Sequence, residues 1–349
     1  MKAVIMAGGS GTRLRPITLT RPKPLVPVAG EACIDFVING LVKAGVDEII
    51  ITTGYRFQEI LDHTGDGSRY GDVRITFSIE KVRMGTAGGV KMIESDLDDT
   101  FIVASGDGIA DVDFERLIRF HREHDAEATM ALTTVDEPTQ FGIVGIAEDG
   151  RIERFKEKPA PSEVFSNLIN AGIYILEPHV LDLIPKDTKF DFSKQLFPRM
   201  LEQERRLFAT PLSGYWKDIG NPFDLIDANI AIIEREGGSI IDDQAPEYQG
   251  ITLAEPVMIG QDVKILSGSR IEGSALYSRS MIDRDCGVTN SVVLVDARIG
   301  AGSTVKHSVV GAGTIVHENC SIEDSIIGDG QEIQAGSQLK GVRIPEPID

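Results

Sequence analysis

The chain of 349 residues is acidic, with 35 lysines and arginines against 54 aspartates and glutamates and a formal net charge of −19. A surface this negative repels phosphate backbones, which argues against nucleic acid as a partner. Since 42% of the residues are apolar and 26% are charged, the composition excludes a disordered chain, and the length suggests about two domains.

The N-terminal apolar run is short, because it stops at Gly8 and Gly9. A membrane span needs about 18 apolar residues, and no other run reaches that length. We therefore expect a cytoplasmic protein with no membrane partner. Cys33, Cys286 and Cys320 are odd in number and lack metal-ligand spacing, so they predict neither a disulfide framework nor a zinc site.

Short β-rich runs alternate with amphipathic stretches from the start of the chain to residue 236. The predicted strands are 4–6, 48–52, 73–79, 101–104, 128–135 and 173–176. Apolar residues recur at helical spacing over 34–42 and 114–121. Alternation of this kind predicts an α/β fold with a mostly parallel sheet, whose ligands bind at the carboxyl ends of the strands.

A helix predicted over 223–236 ends at Gly237 and Gly238, which form a plausible C-cap. This end sets the predicted domains at 1–236 and 251–349, with a linker over 237–250. In the second domain, aliphatic residues stand six apart in sets that slip by one residue, as in Ile259, Ile265, Ile271 and then Val310, Val316, Ile322. Hexapeptide periodicity predicts a left-handed parallel β-helix with about eighteen residues a coil.

The strongest local motif follows the first predicted strand and runs from Gly8 to Pro16. Glycines at such a turn allow backbone N–H groups to crowd around phosphate oxygens, and the guanidinium of Arg13 offers a fork of donors. The motif lacks the Gly-Lys-Ser/Thr ending of a P-loop, and Leu14 stands where a dinucleotide-binding turn has its third glycine. Lys23 follows between two prolines in a rigid, extended segment.

The stretch GGSGTRLRPITLTRPKPLVPVAG resembles the N-terminal signature of the sugar-1-phosphate nucleotidylyltransferases. Six further motifs follow in the family's order: Glu80 with Gly85 to Gly89, Ser105-Gly106-Asp107, Phe141 to Val144, Glu157-Lys158-Pro159, Asn170-Ala171-Gly172, and Trp216 to Pro222. Within the family, the chain looks most like mannose-1-phosphate guanylyltransferases and archaeal relatives that act on glucose or N-acetylglucosamine phosphates. The resemblance implies a Rossmann-like nucleotidyltransferase domain with a mixed, mostly parallel sheet.

The same resemblance implies the substrates and the site residues. A nucleoside triphosphate and a sugar 1-phosphate would form an NDP-sugar and pyrophosphate with the help of Mg²⁺, in a homo-oligomer held by the β-helix. The implied catalytic residues are Arg13 and Lys23, and the metal ligands are Asp107 and Asp218. The nucleotide-binding residues would be Gly8, Gly9, Ser10, Gly11, Thr12, Glu80, Gly85, Thr86 and Ala87, and the sugar-phosphate residues would be Gly142, Glu157, Lys158, Asn170 and Gly172.

The chemistry accounts for these residue types. A phosphate monoester is already ionised at neutral pH, so its attack on the α-phosphorus needs no general base. Bringing two anions together needs cations and a divalent metal, and hard carboxylate oxygens suit Mg²⁺. Two departures from the family pattern concern base preference and the rigidity of the metal site: Val82 to Met84 replace the usual proline and leucine, and Gly108 follows Asp107.

Several alternatives stay open at this stage. Base and sugar are undecided, with glucose-1-phosphate thymidylyl or uridylyl transfer as the alternative to guanylyl transfer to mannose 1-phosphate. A catalytically weak regulatory subunit is a second hypothesis, although six charged site residues are intact. A bifunctional acyltransferase is a third, for which His307 and His317 would be the histidines to consider; the four or five predicted coils leave little room for such a site.

Overall fold

The computed structural model describes residues 1–243 and 249–346. The chain packs into two compact units, of which the first comprises Met1–Gly9 and Ile34–Lys217 and the second comprises Ser10–Cys33 and Asp218–Asp349. Residues 10–33 and 218–236 thus cluster with the C-terminal strands, although the predicted first domain was 1–236. The predicted boundaries at 236 and 250 stay predictions, and residues 244–248 of the proposed linker lie outside the described residues.

The α/β part of the chain contains thirteen strands and six α-helices. The strands are β1 (Lys2–Met6), β2 (Pro27–Val28), β3 (Glu31–Ala32), β4 (Glu48–Thr53), β5 (Arg74–Ile79), β6 (Phe101–Ser105), β7 (Gly108–Val112), β8 (Ala128–Thr134), β9 (Gly142–Ile146), β10 (Ile152–Glu157), β11 (Leu168–Leu176), β12 (Leu207–Pro211) and β13 (Gly214–Asp218). The helices are α1 (Cys33–Lys43), α2 (Phe57–Thr64), α3 (Gly85–Lys91), α4 (Phe114–Glu123), α5 (Phe197–Glu202) and α6 (Pro222–Arg235). Every strand and helix predicted in this region is present.

Nine of these strands form the sheet of the first unit, with the central order β10-β9-β11-β6-β1-β4-β5 and with β8 joining β11 to β12. Parallel pairs link β5, β4, β1 and β6, whereas β11 runs antiparallel to β6, β8 and β9. The apolar runs in β1 and β6 are fully buried, as expected of central strands covered on both faces. The sheet is therefore mixed, as predicted.

The register of the parallel strands determines where the site can form. Met6 in β1 lies opposite Thr52 in β4 and Ser105 in β6, and β4 and β5 end together at Thr53 and Ile79. The segments that follow these strands therefore leave the sheet at one edge. Gly8, Glu80 and Asp107 all belong to those segments.

The C-terminal strands of the second unit are short and pair in parallel. They are β14 (Ser239–Ile241), β15 (Thr252–Ile259), β16 (Lys264–Ile265), β17 (Arg270–Leu276), β18 (Met281–Ile282), β19 (Gly287–Thr289), β20 (Val292–Val293), β21 (Arg298–Ile299), β22 (Thr304–Lys306), β23 (Val309–Val310), β24 (Ile315–Val316), β25 (Ser321–Glu323), β26 (Ile326–Ile327), β27 (Glu332–Ile333), β28 (Gln338–Lys340) and β29 (Arg343–Ile344). Stacked parallel strands of this kind form a β-helix. Its left hand stays a prediction.

From Val257 onward each coil of the β-helix contains seventeen residues, whereas Leu253 pairs with Ile271, eighteen residues away; the prediction was about eighteen. Val292 pairs with Val309, for example, and Val309 with Ile326. The inward aliphatics are spaced six, six and five residues apart, as in Val305, Val310, Val316 and Ile322, all of which are buried. The one-residue slip seen in the sequence is thus the five-residue side of each seventeen-residue coil.

Two further repeats stabilise the coils at their corners. Left-handed residues recur every seventeen positions, as at Asn290, His307 and Asp324, because each corner requires a positive φ. Buried hydroxyls form a ladder in which Ser308 Oγ donates to the carbonyl of Lys306 and accepts from the N–H of Ser325 in the next coil. The ladder provides hydrogen-bond partners for backbone groups at the corners, which the short strands do not pair.

Candidate active site

A cavity of about 250 Å³ lies at the carboxyl edge of the sheet in the first unit. It collects residues from β1, β4 and β6, from the segments that follow β1, β5 and β6, and from a later part of the chain at Asp191. The lining residues are Met6, Gly8, Gly9, Thr52, Glu80, Arg83, Gly85, Thr86, Ser105, Asp107 and Asp191. Six of the residues assigned by the resemblance therefore line one cavity: Gly8, Gly9, Glu80, Gly85, Thr86 and Asp107.

Glu80 is a half-buried carboxylate packed against α3. Its Oε2 accepts a hydrogen bond from the N–H of Met84 at 3.2 Å. A Cβ at position 89 would lie 2.5 Å from Glu80 Oε1, so a side chain there would displace the carboxylate. Burial raises the pKa of Glu80 above its ordinary value, while the bond from Met84 opposes the rise. A carboxylate short of partners at a cavity wall is suited to accept N–H groups from a base edge.

Asp191 is a cavity residue that the sequence reasoning missed. Its Oδ1 accepts from the N–H of Thr86 at 3.1 Å and from Thr86 Oγ1 at 3.3 Å, and the same hydroxyl accepts from the N–H of Phe192. The turn at Gly85, with a φ of +77°, is closed by these bonds. Asp191 lies in no motif of the family resemblance, so no signal in the sequence pointed to it. Ala87, by contrast, is fully buried in the hydrophobic core.

Asp107 stands two residues beyond β6 and faces the glycine turn. Ser105 Oγ donates to its Oδ1 at 2.6 Å, and a Cβ at Gly9 would lie 4.0 Å from its Oδ2. Gly106 between them is pressed against Ile5, where a Cβ would approach to 2.6 Å. The hydroxyl and the tight turn together orient the carboxylate beside the backbone of Gly9.

The residues assigned to the sugar phosphate form a second group in the first unit. Glu157, the last residue of β10, lies opposite Gly142 in β9, and a Cβ at Gly142 would lie 2.8 Å from Glu157 Oε2. Burial raises the pKa of Glu157 above its ordinary value, and the nearby Lys158 and Lys194 oppose the rise. Lys158 has a φ of +44° and donates its N–H to the carbonyl of Phe141.

Asn170 is held beside this group by a bulge in β11. Its Nδ2 donates to Tyr174 Oη at 2.9 Å and to Ser193 Oγ at 3.1 Å, while its Oδ1 accepts from the N–H of Gly172. Gly172 has a φ of +72°, which the irregular pairing of β11 with β8 requires. Burial raises the pKa of Tyr174 to about 12, so the phenol stays neutral. Ser193 and Tyr174 are members of this group that the sequence reasoning missed.

Lys23 and Asp218 form a buried ion pair in the second unit. Lys23 Nζ lies 2.9 Å from Asp218 Oδ1, and its side chain is only 5% exposed. Arg13 Nη2 lies 3.7 Å from Asp218 Oδ2, and the Arg13 side chain is 67% exposed. Asp218, the last residue of β13, thus joins the two predicted catalytic cations. The arrangement holds one cation in a fixed place and leaves the other accessible.

The backbone around Gly11 explains why this segment is glycine-rich. Gly11 has a φ of +60°, and Thr18 Oγ1 donates to its carbonyl at 2.7 Å. A Cβ at Gly11 would lie 3.1 Å from Lys23 Cβ, so a side chain there would press on the lysine. Thr12 begins a short 3₁₀ helix, Thr12–Leu14, directly after this turn, and Ser10 precedes it.

The two carboxylates that the resemblance assigns to magnesium lie in different compact units, Asp107 in the first and Asp218 in the second. No group of three or more histidine, cysteine, aspartate or glutamate side chains that could hold a metal occurs within 1–243 and 249–346. Mg²⁺ does not require such a cage, because it keeps waters and takes one or two carboxylates together with substrate phosphates. Asp107 and Asp218 supply hard oxygen ligands of this type.

One absence concerns membranes. Among the residues that the structure describes, none of the helices has both the length and the apolar character needed to cross a bilayer.

Comparison with known proteins shows which family the chain resembles. Residues 2–235 match the family model described as nucleotidyl transferase. A UTP–glucose-1-phosphate uridylyltransferase from Synechocystis sp. is 35% identical over 84% of this chain and 82% of its own length. A probable mannose-1-phosphate guanylyltransferase from Oryza sativa subsp. japonica is 37% identical over 81% of each chain.

A solved structure supports the same relation. The crystal structure of a putative glucose-1-phosphate thymidylyltransferase from Bacillus anthracis, in complex with a sucrose, has 27% sequence identity and a TM-score of 0.60. The similarity covers 66% of this chain and 94% of that one.

Proposed function

Because the chain belongs to the nucleotidyl transferase family and is an enzyme of that class, we propose that it joins a nucleoside triphosphate to a sugar 1-phosphate. The sugar phosphate oxygen attacks the α-phosphorus in line, pyrophosphate leaves, and an NDP-sugar forms. The observation that carries this proposal is the cavity in the first unit, which brings Gly8, Glu80 and Asp107 together from three different strand ends.

The binding roles follow from the local chemistry. We assign the triphosphate to the backbone of Gly8, Gly9, Ser10, Gly11 and Thr12, and the base to Glu80 with Gly85, Thr86 and the backbone of Ala87. The sugar phosphate is assigned to Gly142, Glu157, Lys158, Asn170 and Gly172. Glu157 accepts from sugar hydroxyls, and Lys158 neutralises the phosphate. Seven motifs in family order support this assignment.

Catalysis on this proposal is electrostatic. Arg13 and Lys23 disperse the charge of the α-phosphate and of the leaving pyrophosphate, which matters because two anionic substrates must meet on a protein with a net charge of −19. The ion pair with Asp218 positions Lys23 before the substrates arrive. We propose Asp107 and Asp218 as ligands of Mg²⁺, which when bound offsets phosphate charge and templates the in-line geometry.

Substitution of Asp107 or Lys23 by Ala tests the assignment. Loss of one preorganised charge in such a site costs roughly 10²- to 10³-fold in kcat. Release of pyrophosphate should therefore fall to near background in both variants, while the exposed Asp296→Asn variant keeps wild-type turnover. Near-normal turnover of Asp107→Ala or Lys23→Ala would contradict the site assignment.

The preferred substrates are GTP and mannose 1-phosphate, and the alternative is UTP or dTTP with glucose 1-phosphate. Both substrate pairs are considered because the chain is similar to a uridylyltransferase for glucose 1-phosphate and to a probable guanylyltransferase for mannose 1-phosphate. One hydroxyl or methylene in a pocket changes binding by only about 1–3 kcal/mol, so substrate choice depends on fine contacts. Pyrophosphate release measured for five nucleoside triphosphates against mannose, glucose and N-acetylglucosamine phosphates decides between them.

A regulatory subunit with weak activity is the rival proposal. It predicts tight binding of an NDP-sugar with no turnover for any substrate pair, whereas an enzyme shows both. The intact charges at Arg13, Lys23, Asp107, Glu157, Lys158 and Asp218 support the enzyme. A homo-oligomer formed through the β-helix and a cytoplasmic location stay predictions.

A further inference from the structure

Three contacts within the second unit join the segment 10–25, here called the cation segment because it contains Arg13 and Lys23, to the last coils of the β-helix. They involve Asp329, Arg343 and Gly328, none of which belongs to a motif of the family resemblance. The three residues lie more than 300 positions from the cation segment in the sequence.

Asp329 uses its two carboxylate oxygens for two different purposes. Oδ1 accepts from the N–H of Ala312 in the preceding coil at 2.8 Å. Oδ2 accepts from Thr20 Oγ1 at 2.5 Å and forms an ion pair with the guanidinium of Arg21. The side chains of Asp329 and Arg21 are 10% and 18% exposed. One largely buried carboxylate therefore binds the coil with one oxygen and the cation segment with the other.

Arg343 holds the other end of the segment through its backbone. Its Nη1 donates to the carbonyl oxygen of Arg15 at 3.3 Å and to that of Arg13 at 3.5 Å. These bonds leave the Arg13 side chain exposed while restricting the backbone that carries it. Arg343 thus acts on the chain on either side of Leu14, which is itself buried.

Gly328 lets the segment approach the coil. A Cβ on Gly328 would lie 2.9 Å from Pro16 Cβ and 3.1 Å from the carbonyl oxygen of Ile344. The φ of Gly328 is not in the left-handed region, so backbone conformation does not demand glycine here. Glycine is needed at position 328 because Pro16 occupies the space that a side chain would fill.

We propose that Asp329, Arg343 and Gly328 are positioning residues for the nucleotidyl transfer reaction. They anchor the cation segment to the β-helix and thereby hold Arg13 and Lys23 where the substrate phosphates bind. Thr20 and Arg21 stand three and two residues before Lys23, so an anchor at Asp329 limits where the Lys23 ammonium can lie. The inference rests on the proposed function, because the placement of these cations matters only if they handle phosphate. A displacement of about 1 Å in such a group costs up to about 10²-fold in rate.

Asp329→Asn is the sharpest variant because it separates the two bonds. The remaining carbonyl oxygen can still accept from Ala312, which preserves the coil, whereas the amide NH₂ then faces two donors, Thr20 and Arg21. Asp296→Asn is the matched control, since the exposed Asp296 pairs with Arg279 of the β-helix at 2.7 Å.

Two readouts are needed. Hydrogen exchange of the full-length protein without substrate should show amides of 12–22 exchanging roughly 10-fold faster in Asp329→Asn, with the other coils unchanged, because a charged hydrogen bond has been lost. Steady-state pyrophosphate release should show kcat reduced roughly 10- to 100-fold, with KM for the sugar 1-phosphate within about twofold of wild type. Global destabilisation would not produce this split.

A second pair of variants tests the same positioning role if Asp329→Asn fails to fold. Gly328→Ala should push on Pro16 and lower kcat in the same way. Gly287→Ala is its control, since a Cβ there meets Thr304 Cγ2 at an ordinary 3.7 Å. We expect Gly287→Ala to match wild type in both readouts.

The outcomes are distinct. Faster exchange of 12–22 with unchanged kcat overturns the positioning role, and unchanged exchange overturns the anchor itself. An equal rise in exchange throughout the protein also overturns it, because the effect is then global. If wild-type protein shows no pyrophosphate release with any substrate pair, the proposed function fails instead, and the exchange experiment still reports on the anchor.

Discussion

Two carboxylates of the first compact unit and two of the second have different surroundings. In the first unit, Glu80 and Glu157 have half-buried side chains whose pKa is raised by burial. In the second unit, Asp218 and Asp329 are paired with Lys23 and Arg21. In the first arrangement, burial outweighs the neighbouring hydrogen bonds and cations, which suits carboxylates proposed to bind a substrate. In the second arrangement, each carboxylate is paired with a cation of the same protein, which fixes the position of that cation.

The largest test of this comparison is Asp218→Asn. The amide removes the negative charge that lies 2.9 Å from the buried Lys23 ammonium and 3.7 Å from Arg13. We expect kcat to fall by roughly 10²-fold or more and the free energy of unfolding to fall by about 3 kcal/mol. Pyrophosphate release and urea denaturation measure the two effects.

The exposed pair Arg279–Asp296 provides the control for that variant. Surface ion pairs contribute about 0–1 kcal/mol, so Asp296→Asn should change stability little and turnover not at all. A stable and active Asp218→Asn protein would show that the ion pair does not organise the cations.

A smaller effect is expected from Gly142→Ala in the first unit. The added methyl group would meet Glu157 Oε2 and Phe155 Cζ, each at 2.8 Å, and would displace the carboxylate from the proposed sugar site. KM for the sugar 1-phosphate should rise roughly 10-fold, with KM for the nucleotide unchanged.

Gly145→Ala in the same strand is its control, because its nearest neighbours would lie at an ordinary 3.4 Å. If Gly142→Ala raises both KM values equally, Glu157 does not belong to the sugar site alone.

A substitution in the β-helix is expected to change stability without changing catalysis. Ser308→Ala removes a buried hydroxyl that donates to Lys306 and accepts from the N–H of Ser325. We expect a loss of about 1–2 kcal/mol in the free energy of unfolding because the Ser325 N–H loses an acceptor. Thermal unfolding measures the loss, and a matching decrease in kcat would mean that the coils and the site are not separable.

The smallest predicted effect depends on pH. Because the pKa of Glu157 is raised in the folded protein, its contribution to stability is fully present below the unfolded value near 4.5 and is lost as the pH rises through the folded value. Glu157→Gln should therefore stabilise the protein at pH 7, by less than about 1 kcal/mol because the group is only half-buried, while weakening sugar-phosphate binding.

The free energy of unfolding, measured between pH 4 and pH 8 for Glu157→Gln and wild type, checks the direction of this stability change. Glu80→Gln should behave in the same way. A variant that is less stable than wild type at pH 7 and equal to it at pH 4 would contradict the assignment of a desolvated carboxylate.

Much of the fold was predictable because its signals are local. Buried parallel strands are nearly continuous apolar runs, which is why 4–6 and 101–104 were identified correctly, and the spacing of six predicted the β-helix. The predicted coil of about eighteen residues is close to the observed length, which is eighteen residues at Leu253 and seventeen from Val257 onward.

The site was predictable only where a motif contains its own residues. Asp191 and Ser193 were missed, since they reach their partners Thr86 and Asn170 through folding of a segment with no motif of its own.

The sequence by itself determined the fold class and the family, because periodicity and short motifs are properties of neighbours along the chain. Only the tertiary structure decided that residues 10–33 pack with the β-helix and that Asp329 holds Arg21. Contacts between residues 308 positions apart depend on how complete coils stack, and no local pattern of side chains contains that information.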